Sequence, residues 1–423
     1  MPVLKVIITA RAPLVFSERR PGNQFRPSTR YIPGGVVRGA LAQQFLDGDR
    51  AGDEDFGALF TSPAAPLFRN AYPALLSTNS SGAAFVSSRP LPATAYSCKA
   101  EGGFAKPVGD AGEVRGHGVF DGLVDRLCCE LLGVSVPYRP RCNHPDHGVQ
   151  GERVEAYAGL YAETRRGPRD VDVGLRLSTR VAVNRQRRVA EERMLYSPLA
   201  LDEVTAGDDG KTRAETTFHG GVVVGDSARA LVERWLPGLT HVGSGAARGF
   251  GRVTVTVEEA RADDPSARVE QFNRLVAERW GEWEPLRGEG APEPPRRPGA
   301  GTFFSVMLMS DAVLRDEGWS PTVRLEPEML GAAGRNATLL RCYASAGYSG
   351  GWNTAWRLPK DTELVARTGG VYVYHTTDSA GDENWLRALR ALEENGVGGR
   401  VREGFGQVRV CDEFHGRIQE VRQ

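Results

Sequence analysis

No run of about twenty apolar residues, the length a membrane-spanning helix needs, occurs in this chain of 423 residues. The opening segment MPVLKVIITARAPLVF lacks a basic stretch followed by an unbroken apolar one. It reads as a strand and not as a secretion signal, so a cytoplasmic location is expected. Net charge is missing as well: 53 Lys and Arg offset 53 Asp and Glu. That excludes a wholly basic nucleic-acid coat and confines any nucleic-acid site to a local patch. Cysteine is scarce, with only Cys98, Cys128, Cys129, Cys142, Cys342 and Cys411. So few thiols in so long a chain argue for a reducing compartment and against a disulfide framework. Lysine is scarcer still, at five residues. The positive charge falls on arginine, whose planar fork grips phosphate and stacks on bases; a GC-rich genome produces the same bias. A P-loop, an HExxH motif and a Ser-His-Asp arrangement are all absent.

What is present reads as α+β. Residues 3–10 form an apolar strand, and residues 11–33 a long polar loop. Tyr31-Ile32-Pro33-Gly34-Gly35 enters a helix through about Gln44. A Pro before small residues suits a helix N-terminus that another group approaches closely. Residues 66–100 look extended, and 118–132 read as an amphipathic helix carrying Leu123, Leu127 and Leu131. Residues 171–185 alternate like a hairpin and run into the basic segment Arg185 to Arg188. A strand at 216–225, a helix from Ser227 to Trp235, a strand at 251–258 and a helix at 265–281 follow. Residues 282–301 are rich in Pro and Gly, a linker composition. Beyond it come a strand at 302–309, a helix at 383–394 and a strand at 406–411.

Two glycine loops match. HVGSGAARGFGRVTV (241–255) and GVGGRVREGFGQVRV (396–410) share seven of fifteen residues without a gap. Each follows a short helix and runs into a strand, the mark of a duplicated domain. The expected architecture is two tandem ferredoxin-like (RRM-like) domains, 1–281 and 302–423, each ending in a glycine-rich loop. The first carries an insertion at about 86–170. Such sheets can read single-stranded RNA, although the aromatic strand motif of an ordinary RRM is absent. Closely spaced glycines expose backbone N–H groups to anions, and Arg248, Arg400 and Arg402 lie inside the loops. Phe250 and Phe405 read as buried anchors that pin each loop, with base stacking the alternative. The second loop, with Arg400 and Arg402, is the expected RNA loop; the first is expected to pack against a neighbour.

The insertion holds YRPRCNHPDHG (138–148). Cys98, Cys142, His144 and His147 would make a Cys2His2 set for one structural zinc, which a loop without a core gains most from. His117 precedes them in a glycine-rich stretch. A surface loop with incidental histidines is the plainer alternative.

Several segments together resemble the RAMP superfamily of CRISPR-associated proteins. They are the C-terminal loop Gly398–Gly406, the helix entry Tyr31–Leu41, the hairpin Leu177–Arg185 through Leu195–Tyr196, and Gly351-Trp352-Asn353 with Leu358-Pro359-Lys360 and Gly369–Tyr372. They span residues 3–410 in family order. Size, paired loops and Cys/His insertion are most similar to the Csx-ten subunits of type III-D effectors. The resemblance implies RAMP domains and a subunit that binds the 5′ tag of crRNA. It also implies contact with a large polymerase-like subunit and with backbone RAMP subunits, in antiviral defence. From the basic segments, the glycine loops and the resemblance together, the expected RNA-binding residues are Arg11, Arg26, Arg30, Tyr31, Gly34, Gly35, Arg38, Arg180, Arg185, Arg187, Arg188, His241, Gly243, Arg248, Gly249, Phe250, Gly398, Gly399, Arg400, Arg402, Gly404 and Phe405. Gly35 stands where the family usually has Ser, and Arg187, Arg188 and Glu191 replace small residues of the hairpin.

Target-cleaving backbone subunits resemble one another in an Asp in the loop after the first strand. Here Arg11 to Arg30 holds Glu18 as its one acid, with Arg11, Arg19, Arg20, Arg26 and Arg30. Arginine stays protonated and cannot serve as a general base. A non-catalytic RNA holder is therefore expected. The alternatives are a metal-independent endoribonuclease acting on precursor crRNA through His241, and a protein–protein adaptor without RNA contact.

Overall fold

The computed structural model describes residues 3–16, 25–26, 28–79, 82–108, 113–134, 138–148, 150–184, 186–260, 263–288, 293–294, 296–353 and 358–419. The first half opens with β1 (Val3–Ala10) and helix α1 (Gly34–Asp47), followed by the short strand β2 (Leu67–Phe68). Helix α2 (Leu123–Leu132) lies in the insertion. Strand β3 (Thr217–Val223), helix α3 (Asp226–Trp235), strand β4 (Val253–Glu259) and helix α4 (Pro265–Trp283) complete it. The second half runs β5 (Thr302–Leu308), β6 (Ala337–Tyr343), β7 (Val371–Thr376), α5 (Glu383–Asn395) and β8 (Val408–Val410).

The two main sheets have one topology. The first is ordered β4–β1–β3–β2 and the second β8–β5–β7–β6, antiparallel throughout. The register pairs Ile7 with His219 and Thr256 in one sheet, and Val306 with Tyr372 and Val410 in the other. β1 alternates: Leu4, Val6, Ile8 and Ala10 are buried, and Lys5, Ile7 and Thr9 are half-exposed. It therefore has one covered face and one open face. β5 is buried at every position, which demands cover on both faces.

That demand redraws the boundary between the halves. Among the described residues, β5 and β6 are joined by 3-10 turns (Pro327–Gly334) in the place where the first half has α1. The missing cover comes from outside. α2 supplies Leu123, Leu127 and Leu132, and α4 supplies Val269, Phe272, Val276 and Trp280, to the core around Phe303 and Phe304. The Asn273 side chain of α4 donates to Phe303 O (2.8 Å) and accepts from Phe303 N–H (2.9 Å). Arg279 of α4 donates to Asp125 of α2 at 2.6 Å, both buried. A Pro/Gly stretch marks where the chain crosses over, not where the second core begins.

The helix expected at 118–132 starts later, at Leu123. Val119–Asp121 pairs instead as a strand with Ala95–Cys98. Gly122 interrupts as the helix N-cap, and the Asp121 carboxylate accepts from Leu123 N–H, the first of the shortened helix, at 2.7 Å. Two small sheets frame the insertion. One is ordered Val119–Asp121, Ala95–Cys98, Glu152–Ala156, Arg141–Cys142; the other Gly167–Val171, Leu160–Thr164, Ser88–Pro90. No helix among the described residues is long and apolar enough to cross a membrane.

Candidate nucleic-acid interface

The glycine loops have the same backbone. Val242 N–H donates to Gly251 O, and Val397 to Gly406 O, both at 2.8 Å. Gly251 donates to Pro13 O and Gly406 to Asp311 O, both at 2.9 Å. Ser244 reaches Val15 O (3.0 Å) and Gly399 reaches Val313 O (2.9 Å). Each loop thus closes on itself and is strapped to the segment that follows its half's first strand. A Cβ at Gly251 or Gly406 would stand 2.5 or 1.9 Å from the facing carbonyl oxygen, with φ positive at both. Gly251 and Gly406 are therefore required by the loop's own backbone before any ligand is considered. Arg400 takes a left-handed φ of 58° where the first loop has Gly245.

The surroundings of the two loops differ. The second is packed against the first half. Glu403 lies against Gly35, and Gly404 fits between Asn70 and the backbone of Gly34. Asn70 Oδ1 accepts from Gly34 N–H at 2.9 Å. The helix entry is indeed approached closely, but by the other half of this chain. Arg402 donates to Pro63 O. Arg400 pairs with Glu363 (3.0 Å) and Glu403 (2.8 Å) and lies 4.4 Å from the centre of the half-buried Phe405 ring. Burial would raise the Glu403 carboxyl, yet hydrogen bonds from Arg400 and Lys360 outweigh it and hold the group at about 2. Arg38 belongs to the same joint: it donates to Phe60 O at 2.9 Å, and burial lowers its pKa. Tyr31 packs on Tyr72, whose hydroxyl donates to Met309 O of the second half. Gly398 and Gly399 abut Val313.

The first loop faces outward. His241, Gly243, Arg248 and Gly249 are exposed. Phe250 is 4% exposed, packed with Val15 and Ala200. Arg180 of the hairpin lies 4.5 Å over its ring, a cation–π contact. Three segments far apart in sequence thus converge: the loop after β1, the hairpin Arg180–Asn184/Val189–Leu201 and the first glycine loop. Phe25–Arg26 also pairs with Ser197–Pro198 of the hairpin. Arg187 and Arg188 are exposed at the hairpin turn. Arg11 pairs with Glu215 and Thr254, and Arg30 with Asp172. Arg185 and the side chain of Arg26 lie outside the described residues.

His241 accepts or donates to its neighbour Thr240 at 3.0 Å. His375 is buried edge-on against Phe303. Sequence reasoning passed over His219, whose Nδ1 lies 2.7 Å from Ser87 Oγ across 132 residues. It lines a cavity of about 380 Å³ on the open face of the first sheet with Lys5, Thr9, Arg11 and Glu258. Burial, with Lys5 adding, pushes its imidazole down to about 4. The Cys/His residues gather with one substitution: Cys98, Cys142 and His147 meet His117, and His144 stands outside the group of four. His144 instead caps the 3-10 turn Pro145–His147.

No known family profile matches this chain, and no curated protein does. Solved structures give loose likenesses. One is to a chain of the type III-B Cmr-beta complex bound to cognate target RNA. It has 11% identity and a TM-score of 0.35, over 87% of this chain and 86% of that one. Another is to a chain of apo Cmr-beta: 11% identity, TM-score 0.29, over 60% of this chain and 96% of that one. A third is to oligomeric Cmr4 from Pyrococcus furiosus: 14% identity, TM-score 0.27, over 62% and 100%. Likenesses at such scores decide neither fold nor function.

Proposed function

We propose that this chain is a non-catalytic, RNA-holding subunit of a type III CRISPR effector, most like the Csx-ten subunits of the III-D type. The shared strand order reads as a duplicated ferredoxin-like RAMP unit. In this reading the first glycine loop and the adjoining hairpin grip crRNA at its 5′ tag. The second loop locks the two units together. The large polymerase-like subunit and backbone RAMP subunits, implied by the sequence resemblance, are the partners, in the cytoplasm.

The observation that carries the proposal is the meeting of the loop after β1, the hairpin and the first glycine loop at Val15, Arg180, Ala200 and Phe250. Arg187 and Arg188 are exposed at the hairpin turn and Arg248 on the loop, and a buried Phe250 fixes the loop that bears Arg248. Guanidinium groups of this kind recognise phosphate and not sequence. The lack of Asp in Arg11–Arg30 supports a subunit that holds RNA without cutting it.

Ultraviolet crosslinking of the assembled ribonucleoprotein, mapped to peptides, tests this. Crosslinks are expected in 186–188 and 241–251. Crosslinks confined to 396–406, or none in a complex that holds RNA, would reject it. Cleavage of repeat RNA by the isolated chain, lost in His241→Ala, would favour an endoribonuclease instead.

A further inference from the structure

The insertion has little apolar core of its own. Its cluster of Leu91, Ala95, Phe104, Val119, Tyr161 and Phe414 is completed by a residue from the far C-terminal end. So small a core needs a second source of order. The cysteine and histidine side chains of the insertion provide one.

Four segments of it bring donor atoms to one point. Cys98 ends the strand Ala95–Cys98, and His117 sits between Gly116 and Gly118. Cys142 ends Arg141–Cys142, and His147 closes the 3-10 turn Pro145–His147. Cys98 Sγ is 3.2 Å from His147 Nε2, His117 Nδ1 is 2.9 Å from His147 Nε2, and Cys142 Sγ is 3.7 Å from His117 Nδ1. All four ligand atoms lie within 4.8 Å of one another. A tetrahedral Zn²⁺ with bonds of about 2.0–2.3 Å sets such edges at roughly 3.3–3.8 Å. Cys98 and Cys142 are both buried. Two thiolates would cancel the ion's charge, so the loaded site is neutral and suits its burial.

We propose that Cys98, His117, Cys142 and His147 hold one structural Zn²⁺, with Asp146 as the carboxylate that orients His117. His117 Nδ1 faces the other donors, and its Nε2 lies 3.8 Å from Asp146 Oδ2. Closing that gap to hydrogen-bond distance on metal binding would give the carboxylate–histidine–metal arrangement, which fixes tautomer and ring orientation. His144 buttresses the site without joining it. Its ring stacks on His117 at 3.8 Å with 5° between planes, and its Nδ1 lies 3.3 Å from Asp146. The ion would tie both ends of the small sheet that carries Val119–Asp121, and through it α2, which packs in the second core. The ion would order the insertion from within, and α2 carries that order to the second core.

The full-length chain, purified without chelator, should carry one zinc by elemental analysis. Refilled with Co²⁺, it should show the intense visible bands of a tetrahedral ion and a near-ultraviolet thiolate band. His117→Ala should remove those bands. His144→Ala should keep them, with affinity changed less than about threefold, and Asp146→Ala should weaken Co²⁺ binding about 10–100-fold. In the unmutated chain, metal should shield Cys98 and Cys142 from alkylation, and chelation should unmask them; this arm needs no variant to fold. Absence of zinc and of a tetrahedral cobalt spectrum would overturn the proposal. So would two ions per chain, or bands lost in His144→Ala and kept in His117→Ala.

Discussion

Gly249 and Gly404 hold the same place in two loops of one backbone, yet their neighbourhoods are opposite. A Cβ on Gly249 would meet nothing within 4 Å; one on Gly404 would stand 2.4 Å from Asn70 Oδ1. Phe250 is buried under Arg180, whereas Phe405 is half-buried beside its own loop's Arg400. The two loops keep the same folding hydrogen bonds and differ in what they touch. Here one copy faces solvent and the other has become a joint between halves.

The largest separation between the copies is expected at the aromatics. Phe250→Ala empties a buried site and should cost about 3–5 kcal/mol. Phe405→Ala should cost about 1–2 kcal/mol, the ring being half-buried. Equal shifts in denaturant midpoint would erase the distinction. The glycines come next. Gly404→Ala combines left-handed strain with overlap at Asn70 and should cost about 3 kcal/mol, while Gly249→Ala should cost about 1–2 kcal/mol from strain alone. Thermal unfolding of the pair checks this, and a harmless Gly404→Ala would refute the joint.

The smallest effect is the acid dependence of Glu403. Its carboxyl is held at about 2, below the ordinary range. A depressed carboxyl contributes stability above its unfolded pKa of about 4.3 that is lost as pH falls through the folded value. The stability gap between the unmutated chain and Glu403→Gln should therefore be full at pH 6 and shrink as pH falls from about 4.5 to 2. A gap that does not change with pH would show that the charge does not matter to the joint.

Much of this was legible in the sequence. The repeat, the strand that opens each half, the helix, loop and strand that close it, and the Phe anchor of the first loop follow from glycine spacing and alternation. The helix entry at Tyr31–Gly35 announced a close approach. What it meets was not legible, because Glu403 and Asn70 are brought there by tertiary packing and carry no local pattern. The packing of the second loop was hidden for that reason: Arg400 and Arg402 look available in sequence, but Glu363 and Pro63 claim them. The transfer of α2 and α4 to the second core was hidden too, since an amphipathic pattern marks an apolar face but not its partner. His117 was left out of the expected group of four because His144, inside the compact run from Cys142 to His147, took its place.

The division of labour between the loops is tested most directly by salt-dependent RNA affinity of two variants of the full chain. Arg187→Ala/Arg188→Ala/Arg248→Ala should weaken binding of repeat-derived RNA at least tenfold. It should also reduce the slope of log affinity against log salt by about 2, the single-strand value for three lost phosphate contacts. Arg400→Ala/Arg402→Ala should lower the unfolding midpoint and leave that slope unchanged. A slope reduced by the second variant and not by the first would contradict the account.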